Sequence, residues 1–256
     1  MYQEERLVAI MRYLKEHQRM SVQEICERFG VSRDTARRDL VKLSEQNAII
    51  RTRGGAVLPV LQKEIESYKK RLDLKSEMKS RIGAEAARHI KDGDVVLMDT
   101  STTVQHAAQA LQAEEVTVVT NSIDIADILS TKERVTVHLL GGVFHAHSRY
   151  LYGVGTVKKL QEYHVNKCFM GGGGVAEDGI YFPSEDDGQV VRQMIAQSEQ
   201  VIVLVDRTKF NKKLFFKVCP LEQIDVLIAD DVPEEWQERL AQAEVEVIRV
   251  MPGAWS

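Results

Sequence analysis

The chain has 256 residues, 44% hydrophobic and 28% charged, with a net charge of −4; this globular balance leaves room for one large domain or two unequal ones. It excludes a membrane helix, which needs an apolar run of ~18 to 20 residues, and a secretion signal, because no apolar core follows the charged residues at the start. Cys26, Cys168 and Cys219 are scattered, with neither metal-ligand spacing nor a disulfide framework, so a cytoplasmic protein with buried thiols is expected.

Charge is spread unevenly. Residues 1–59 sum to +3 and the remainder to −7, and residues 28–58 alone hold 7 basic against 3 acidic side chains. That asymmetry suits a polyanion-binding head on a body that does not share the task. Leu7, Ile10, Met11 and Leu14 form a first helical stripe. After a break at residues 17–20, Ser21 and Glu24 have the spacing of a capping box for a second helix, with Val22, Ile25, Cys26 and Phe29 as its stripe and Gly30 as its stop. Ser32 is a natural cap for a third helix over residues 33–46, where Ala36, Leu40 and Leu43 face inward. Asp34, Arg37, Arg38 and Lys42 face outward, which is the layout of a recognition helix in a major groove. Residues 49–57 then read as a hairpin with a Gly54-Gly55 tip, a wing that carries Arg51 and Arg53 toward phosphates or the minor groove. The set expected to meet DNA is Ser32, Arg33, Asp34, Thr35, Arg37, Arg38, Lys42, Arg51 and Arg53. A three-helix bundle with a solvated basic face is the plainer alternative, and the arginine-bearing wing argues against it.

Val31-Ser32, the run from Thr35 to Leu40, and Arg53 to Ala56 closely resemble the DNA-binding signature of DeoR-family bacterial regulators. Two positions depart from it: Ala36 where the family usually has isoleucine, and Arg53 where it usually has histidine.

Residues 1–58 are accordingly expected to form a winged helix-turn-helix, residues 59–75 a polar linker, and residues 76–256 an α/β sensing and oligomerisation domain. In the larger part, helical stripes alternate with short apolar runs: strands at 95–98, 116–119, 135–140, 168–170, 201–205, 226–229 and 245–250, and helices at 82–90, 101–111, 124–129, 157–163, 189–198 and 234–243. Such alternation implies a mainly parallel sheet covered by helices, with every strand's carboxyl end on one rim. The apolar strands end in polar or glycine residues, which predicts a pocket for a polar ligand there. Ser101, Thr102 and Thr103 put three hydroxyls at a helix start, where free amides and the dipole favour a phosphate or carboxylate. Asp99, Asn121, Gly141, Gly142, Gly172, Asp206 and Lys209 complete the expected effector site, with Lys209 as countercharge and the two aspartates as acceptors for sugar hydroxyls.

Three other signals are set aside. Gly171, Gly173 and Ala176 have dinucleotide-fingerprint spacing, but no helix follows them. His145 and His147 lack the further ligands that zinc requires. Trp236 and Trp255 read as packing residues. No catalytic residue, metal or cofactor is expected.

The segments at 99–103, 120–122, 141–142 and 206–210 also resemble the DeoR sensor domain, whose fold is similar to ribose-5-phosphate isomerase and CoA transferases. The resemblance implies a sugar-phosphate effector, operator DNA as partner, a homo-oligomer, and repression of carbohydrate-catabolism genes. One region departs: Asp187 and Arg192 stand where the family often has a Glu followed by Lys or Lys-Arg. The alternatives are a sugar-phosphate isomerase fused to a DNA-binding head, and a regulator without a small effector. The paired acidic motif that the isomerase would use to move a proton does not follow the glycine-rich strand.

Overall fold

Capping residues and apolar stripes set where the first elements begin and end. In the computed structural model, which describes residues 3–17, 19–45, 48–52, 54–57 and 76–250, the chain falls into two compact units, residues 1–65 and 66–256. The first holds α1 (Gln3–His17), β1 (Arg19–Ser21), α2 (Val22–Phe29), α3 (Arg33–Glu45), β2 (Ile50–Thr52) and β3 (Gly55–Val57). Ile10, Leu14, Ile25, Ala36, Leu40 and Leu43 close one core between the three helices. The strands form an antiparallel sheet in the order β1-β3-β2. The hairpin was legible in the sequence, whereas β1 falls in the expected break and was not. Gly55 is needed for close approach: a Cβ there would lie 2.2 Å from the Met20 carbonyl oxygen on β1.

The second unit is built on a sheet of seven parallel strands. Its elements are α4 (Ser76–Arg88), β4 (Val95–Met98), α5 (Thr102–Ala110), β5 (Val116–Thr120), α6 (Ile123–Leu129), β6 (Val135–Leu139), β7 (Val143–His145), β8 (Tyr150–Tyr152) and α7 (Val154–Leu160). They continue with β9 (Val165–Gly171), β10 (Gly174–Ala176), β11 (Gly179–Phe182), α8 (Glu185–Ala196), β12 (Ser198–Val205), β13 (Phe216–Cys219), β14 (Val226–Ala229), α9 (Glu234–Gln242) and β15 (Glu246–Arg249). The sheet order is β15-β14-β12-β9-β4-β5-β6. Alternate residues feed two cores. Val96 and Met98 pack with Ile82, Val104 and Ile125 on one face, and Leu97 packs with Leu160, Met194 and Trp236 on the other. Strands buried on both faces have to be apolar throughout, as these are.

Three helices start three or more residues earlier than expected: α4 begins at Ser76 where residue 82 was expected, and α8 and α7 follow suit. α8 begins at Glu185, because Glu185, Asp186 and Asp187 fill its first turn, where carboxylates meet the positive end of the helix dipole. The acidic run is therefore a helix start. α7 begins at Val154, directly after Gly153 at φ 109°. The glycine-rich end of β9 leads into the β10–β11 hairpin, with no helix behind it, so the fingerprint spacing is coincidental. The expected linker at residues 59–75 and Trp255 lie outside the described residues.

Candidate DNA interface and effector site

In the head, each cap does what its residue type suggests. Ser21 Oγ accepts the Glu24 N–H at 3.1 Å and the Glu24 carboxylate accepts the Ser21 N–H at 2.7 Å, a complete capping box. Gly30 stops α2 at φ 62°, ψ 37°. Ser32 Oγ accepts the Thr35 N–H at 3.2 Å and lies 3.0 Å from Thr35 Oγ1, so these two hydroxyls hold the start of α3. Arg33, Asp34, Arg37 and Arg38 form one exposed face, at the three- and four-residue spacing that makes helical neighbours. Lys42 sits apart from them: its Nζ donates to Gln3 Oε1 of α1 at 3.4 Å. Arg51 lies on β2; its side chain, and all of Arg53, fall outside the described residues.

Sequence reasoning missed Asp39. It is fully buried, accepts from Arg6 Nε at 2.5 Å and Nη2 at 3.1 Å, and accepts from Gln3 Nε2 at 3.0 Å. The Arg6 guanidinium is held above its ordinary pKa by that hydrogen bond. The pair ties α3 to α1 directly behind the exposed arginines. A signal for it existed, because Asp39 lies three residues after Ala36 and four before Leu43 and so belongs to the inward stripe.

In the second unit, strand order and chain order part between β4 and β9. Strands β5 and β6 extend the sheet one way from β4, while β9, β12, β14 and β15 extend it the other way. Open α/β sheets bind ligands at the carboxyl ends where winding reverses, and Asp99, Ser101 and Gly171 meet at that point. Asp99 is 1% exposed; Oδ1 accepts the Ser101 N–H at 2.8 Å and Oδ2 the Gly171 N–H at 2.9 Å. The carboxylate thereby spans two strand ends and shapes the loop. Asp206 is similarly committed, since Oδ1 accepts the Thr208 N–H at 2.9 Å and the Thr208 hydroxyl also donates to it. Ser101 Oγ caps α5 by accepting the Thr103 N–H at 3.2 Å. A Cβ on Gly171 would stand 2.3 Å from that Oγ, so glycine alone leaves Ser101 its seat. Thr102 and Thr103 are nearly buried in the first turn.

Neighbouring strand ends complete the rim. Thr120 Oγ1 donates to the Met98 carbonyl at 2.7 Å and accepts the Ser122 N–H at 3.0 Å. Asn121 is 1% exposed; Nδ2 donates to the Leu151 carbonyl at 2.9 Å, while Oδ1 is buried with no hydrogen-bond donor among the described residues. Gly141 and Gly142 follow β6; the Thr156 hydroxyl donates to the Gly141 carbonyl at 2.7 Å, and a Cβ on Gly142 would meet Thr156 Oγ1 at 2.2 Å. Gly172 packs on β12, with Val205 Cγ1 2.7 Å from the place of its missing Cβ. Lys209 is half-buried in the turn after β12.

Tyr150 was also missed. It is nearly buried beside Ser122, and burial, with the Asp187 carboxylate next, pushes its phenol well above the ordinary range. Arg192 turns away from ligand duty: its guanidinium covers the Phe216 ring at 4.5 Å and donates to the Val218 carbonyl at 3.2 Å. His145 stacks on Tyr150 with ring centroids 5.0 Å apart, and no cluster that could hold a metal occurs among the described residues. The rim thus offers helix-start amides for an anion and an acceptor-only amide oxygen one strand away, about 5 Å across the sheet.

Comparison with known proteins agrees with both halves. Residues 6–60 match the DeoR-like helix-turn-helix domain, and residues 74–231 match the DeoR C terminal sensor domain. The HTH-type transcriptional repressor GlcR of Bacillus subtilis (strain 168) is 52% identical over 92% of this chain and 91% of its own. The glycerol-3-phosphate regulon repressor of Escherichia coli (strain K12) is 28% identical over 91% of this chain and 93% of its own. Among solved structures, ribose 5-phosphate isomerase A of Methanocaldococcus jannaschii is similar over 54% of this chain and 56% of its own, at 20% identity and a TM-score of 0.40. The chain belongs to the DeoR family of transcriptional regulators, with an N-terminal helix-turn-helix and a C-terminal sensor domain.

Proposed function

We propose that this protein represses carbohydrate-catabolism genes, and that a phosphorylated sugar bound at the α5 rim controls its grip on operator DNA. The observation that carries the reading is the meeting of Asp99, Ser101 and Gly171 at the β4–β9 reversal, where Ser101 caps α5 on a glycine floor; first-turn amides at such a helix start suit an anion. A phosphate would take those amides, and Lys209 would add countercharge. Hydroxyls of the same ligand would donate to Asn121 Oδ1, a buried acceptor that lacks a donor among the described residues. Asp99, Gly141, Gly142, Gly172 and Asp206 would hold the loops that shape the pocket. Relatives named for a glycerol-3-phosphate regulon and a lactose phosphotransferase system support a sugar-linked regulon.

At the other end, Arg33, Arg37 and Arg38 would meet phosphates and base edges from the exposed face of α3, with Asp34, Ser32 and Thr35 at its start and Arg51 and Arg53 on the wing. Lys42 would act at the margin, since it reaches back to α1. Heads reading paired half-sites require at least a dimer. Effector binding would shift the DNA-competent population through unequal affinity for two arrangements.

Thermal-shift measurement of the full chain against phosphorylated sugars, their unphosphorylated counterparts and inorganic phosphate tests the effector claim. One phosphorylated sugar should raise the melting temperature and its unphosphorylated form should not. If DNA binds while no sugar phosphate shifts melting, the effector reading fails.

A further inference from the structure

Residues 143–152 stand between two glycines, Gly142 at φ 155° and Gly153 at φ 109°, backbone conformations that other residues rarely adopt. Between them β7 and β8 form a two-stranded sheet of their own. Val143 and Phe144 on β7 are exposed. β8 lies instead along the end of β5. The Leu151 N–H donates to the Asn121 carbonyl at 2.9 Å, the Ile123 N–H donates to the Arg149 carbonyl at 3.3 Å, and Asn121 Nδ2 donates to the Leu151 carbonyl at 2.9 Å. Tyr150 carries the anchorage from Ser122 to the start of α8, where its phenol shares a hydrogen bond with Ser184.

The Asn121 carboxamide has two ends with different duties. Its nitrogen holds β8, and its buried Oδ1 has no donor among the described residues. A buried acceptor left without a donor is costly, and a ligand hydroxyl would relieve it. A donor arriving at Oδ1 also polarises the amide and strengthens the bond that its N–H makes to Leu151. We infer that the β7–β8 hairpin is a strap hinged at Gly142 and Gly153, and that a hydroxyl of the effector tightens it through Asn121. The strap depends on the effector reading above and extends it from what binds to what the ligand moves. A phosphate seated at α5 alone leaves Asn121 untouched, so the strap answers to the sugar part of the ligand.

Amide hydrogen exchange of the full chain tests the inference, measured alone, with inorganic phosphate, and with the sugar phosphate that most raises its melting temperature. The sugar phosphate should slow the Leu151 and Ile123 N–H groups on the order of tenfold beyond any slowing in β14, because local opening of the strap breaks their bonds and spares β14. Inorganic phosphate should not. Gly153→Ala probes the hinge alone, since the new Cβ would meet only Val143 Cγ2, at 3.9 Å, and its effect is on the backbone. It should speed exchange of the same two amides in the ligand-free protein and leave β14 unchanged. A sugar phosphate that raises melting yet slows these amides no more than β14 would overturn the strap and leave the effector reading standing. Equal slowing by inorganic phosphate would overturn the role given to the sugar hydroxyl. If no sugar phosphate raises melting, strap and effector reading fall together.

Discussion

Asp39→Ala removes the carboxylate that the Arg6 guanidinium grips inside the head. The two side chains are 8% and 0% exposed, so Arg6 would lose this partner while staying buried. Breaking a buried ion pair from one side costs ~3–5 kcal/mol, and Arg6's residual exposure puts this case at the low end, about 3 kcal/mol. At about 1.4 kcal/mol per decade, the opening equilibrium of the head should rise on the order of a hundredfold. Amide hydrogen exchange in the full chain reads this locally: α1 and α3 should exchange on the order of a hundredfold faster, with the sensor amides unchanged. Arg6→Leu combined with Asp39→Leu should recover most of the loss, because no charge is left behind in the core. DNA affinity should fall in the single variant and return in the double one, since Asp39 lies behind the exposed face and acts only through the packing of α3. Unchanged exchange in Asp39→Ala, or a double variant no better than the single, would refute this account.

Other outcomes follow from the same structure. Arg37→Ala with Arg38→Ala should weaken DNA binding and reduce the slope of log affinity against log salt by about 2, since each phosphate contact contributes about 0.9; an unchanged slope would remove α3 from the interface. Gly171→Ala should cost roughly 1–3 kcal/mol of sensor stability and abolish the sugar-phosphate thermal shift while sparing DNA binding, because the new Cβ displaces Ser101; a retained thermal shift would move the ligand elsewhere. Burial, with nearby Lys79 adding to it, lowers the His106 pKa below its ordinary 6.5. The folded state therefore binds fewer protons than the unfolded one just below pH 6.5, and stability falls as pH drops through that window. Urea melts of His106→Leu should show a flatter profile there, and an unaltered profile would assign the loss to other groups.

How much of this was legible depended on whether the signal was local. The capping box at Ser21 and Glu24 and the stop at Gly30 are local chemistry, and both sit where residue type and spacing place them. The central strands were legible because burial on both faces demands unbroken apolar runs such as Val226–Ala229. β1 was not, because Arg19–Ser21 is three residues long and owes its conformation to pairing with β3. The start of α8 was misplaced at residue 189, although the three carboxylates before it suit a first helical turn. At the rim, contacts between distant positions were not legible. The Gly171 N–H that Asp99 accepts comes from 72 positions away, which no local spacing shows. Asn121's lone acceptor oxygen and Tyr150's burial are products of packing that no spacing reveals.

The central claim is that the α5 rim governs DNA binding by the arginine face of α3. Fluorescence anisotropy on a DNA fragment selected by the wild-type protein, titrated with a panel of sugar phosphates, tests it most directly when Ser101→Ala with Thr103→Val is measured alongside. At least one sugar phosphate should change the wild-type affinity for DNA, its unphosphorylated form should not, and the variant should bind DNA normally with the response gone. Equal responses in wild type and variant, or no response to any phosphorylated sugar, would contradict it.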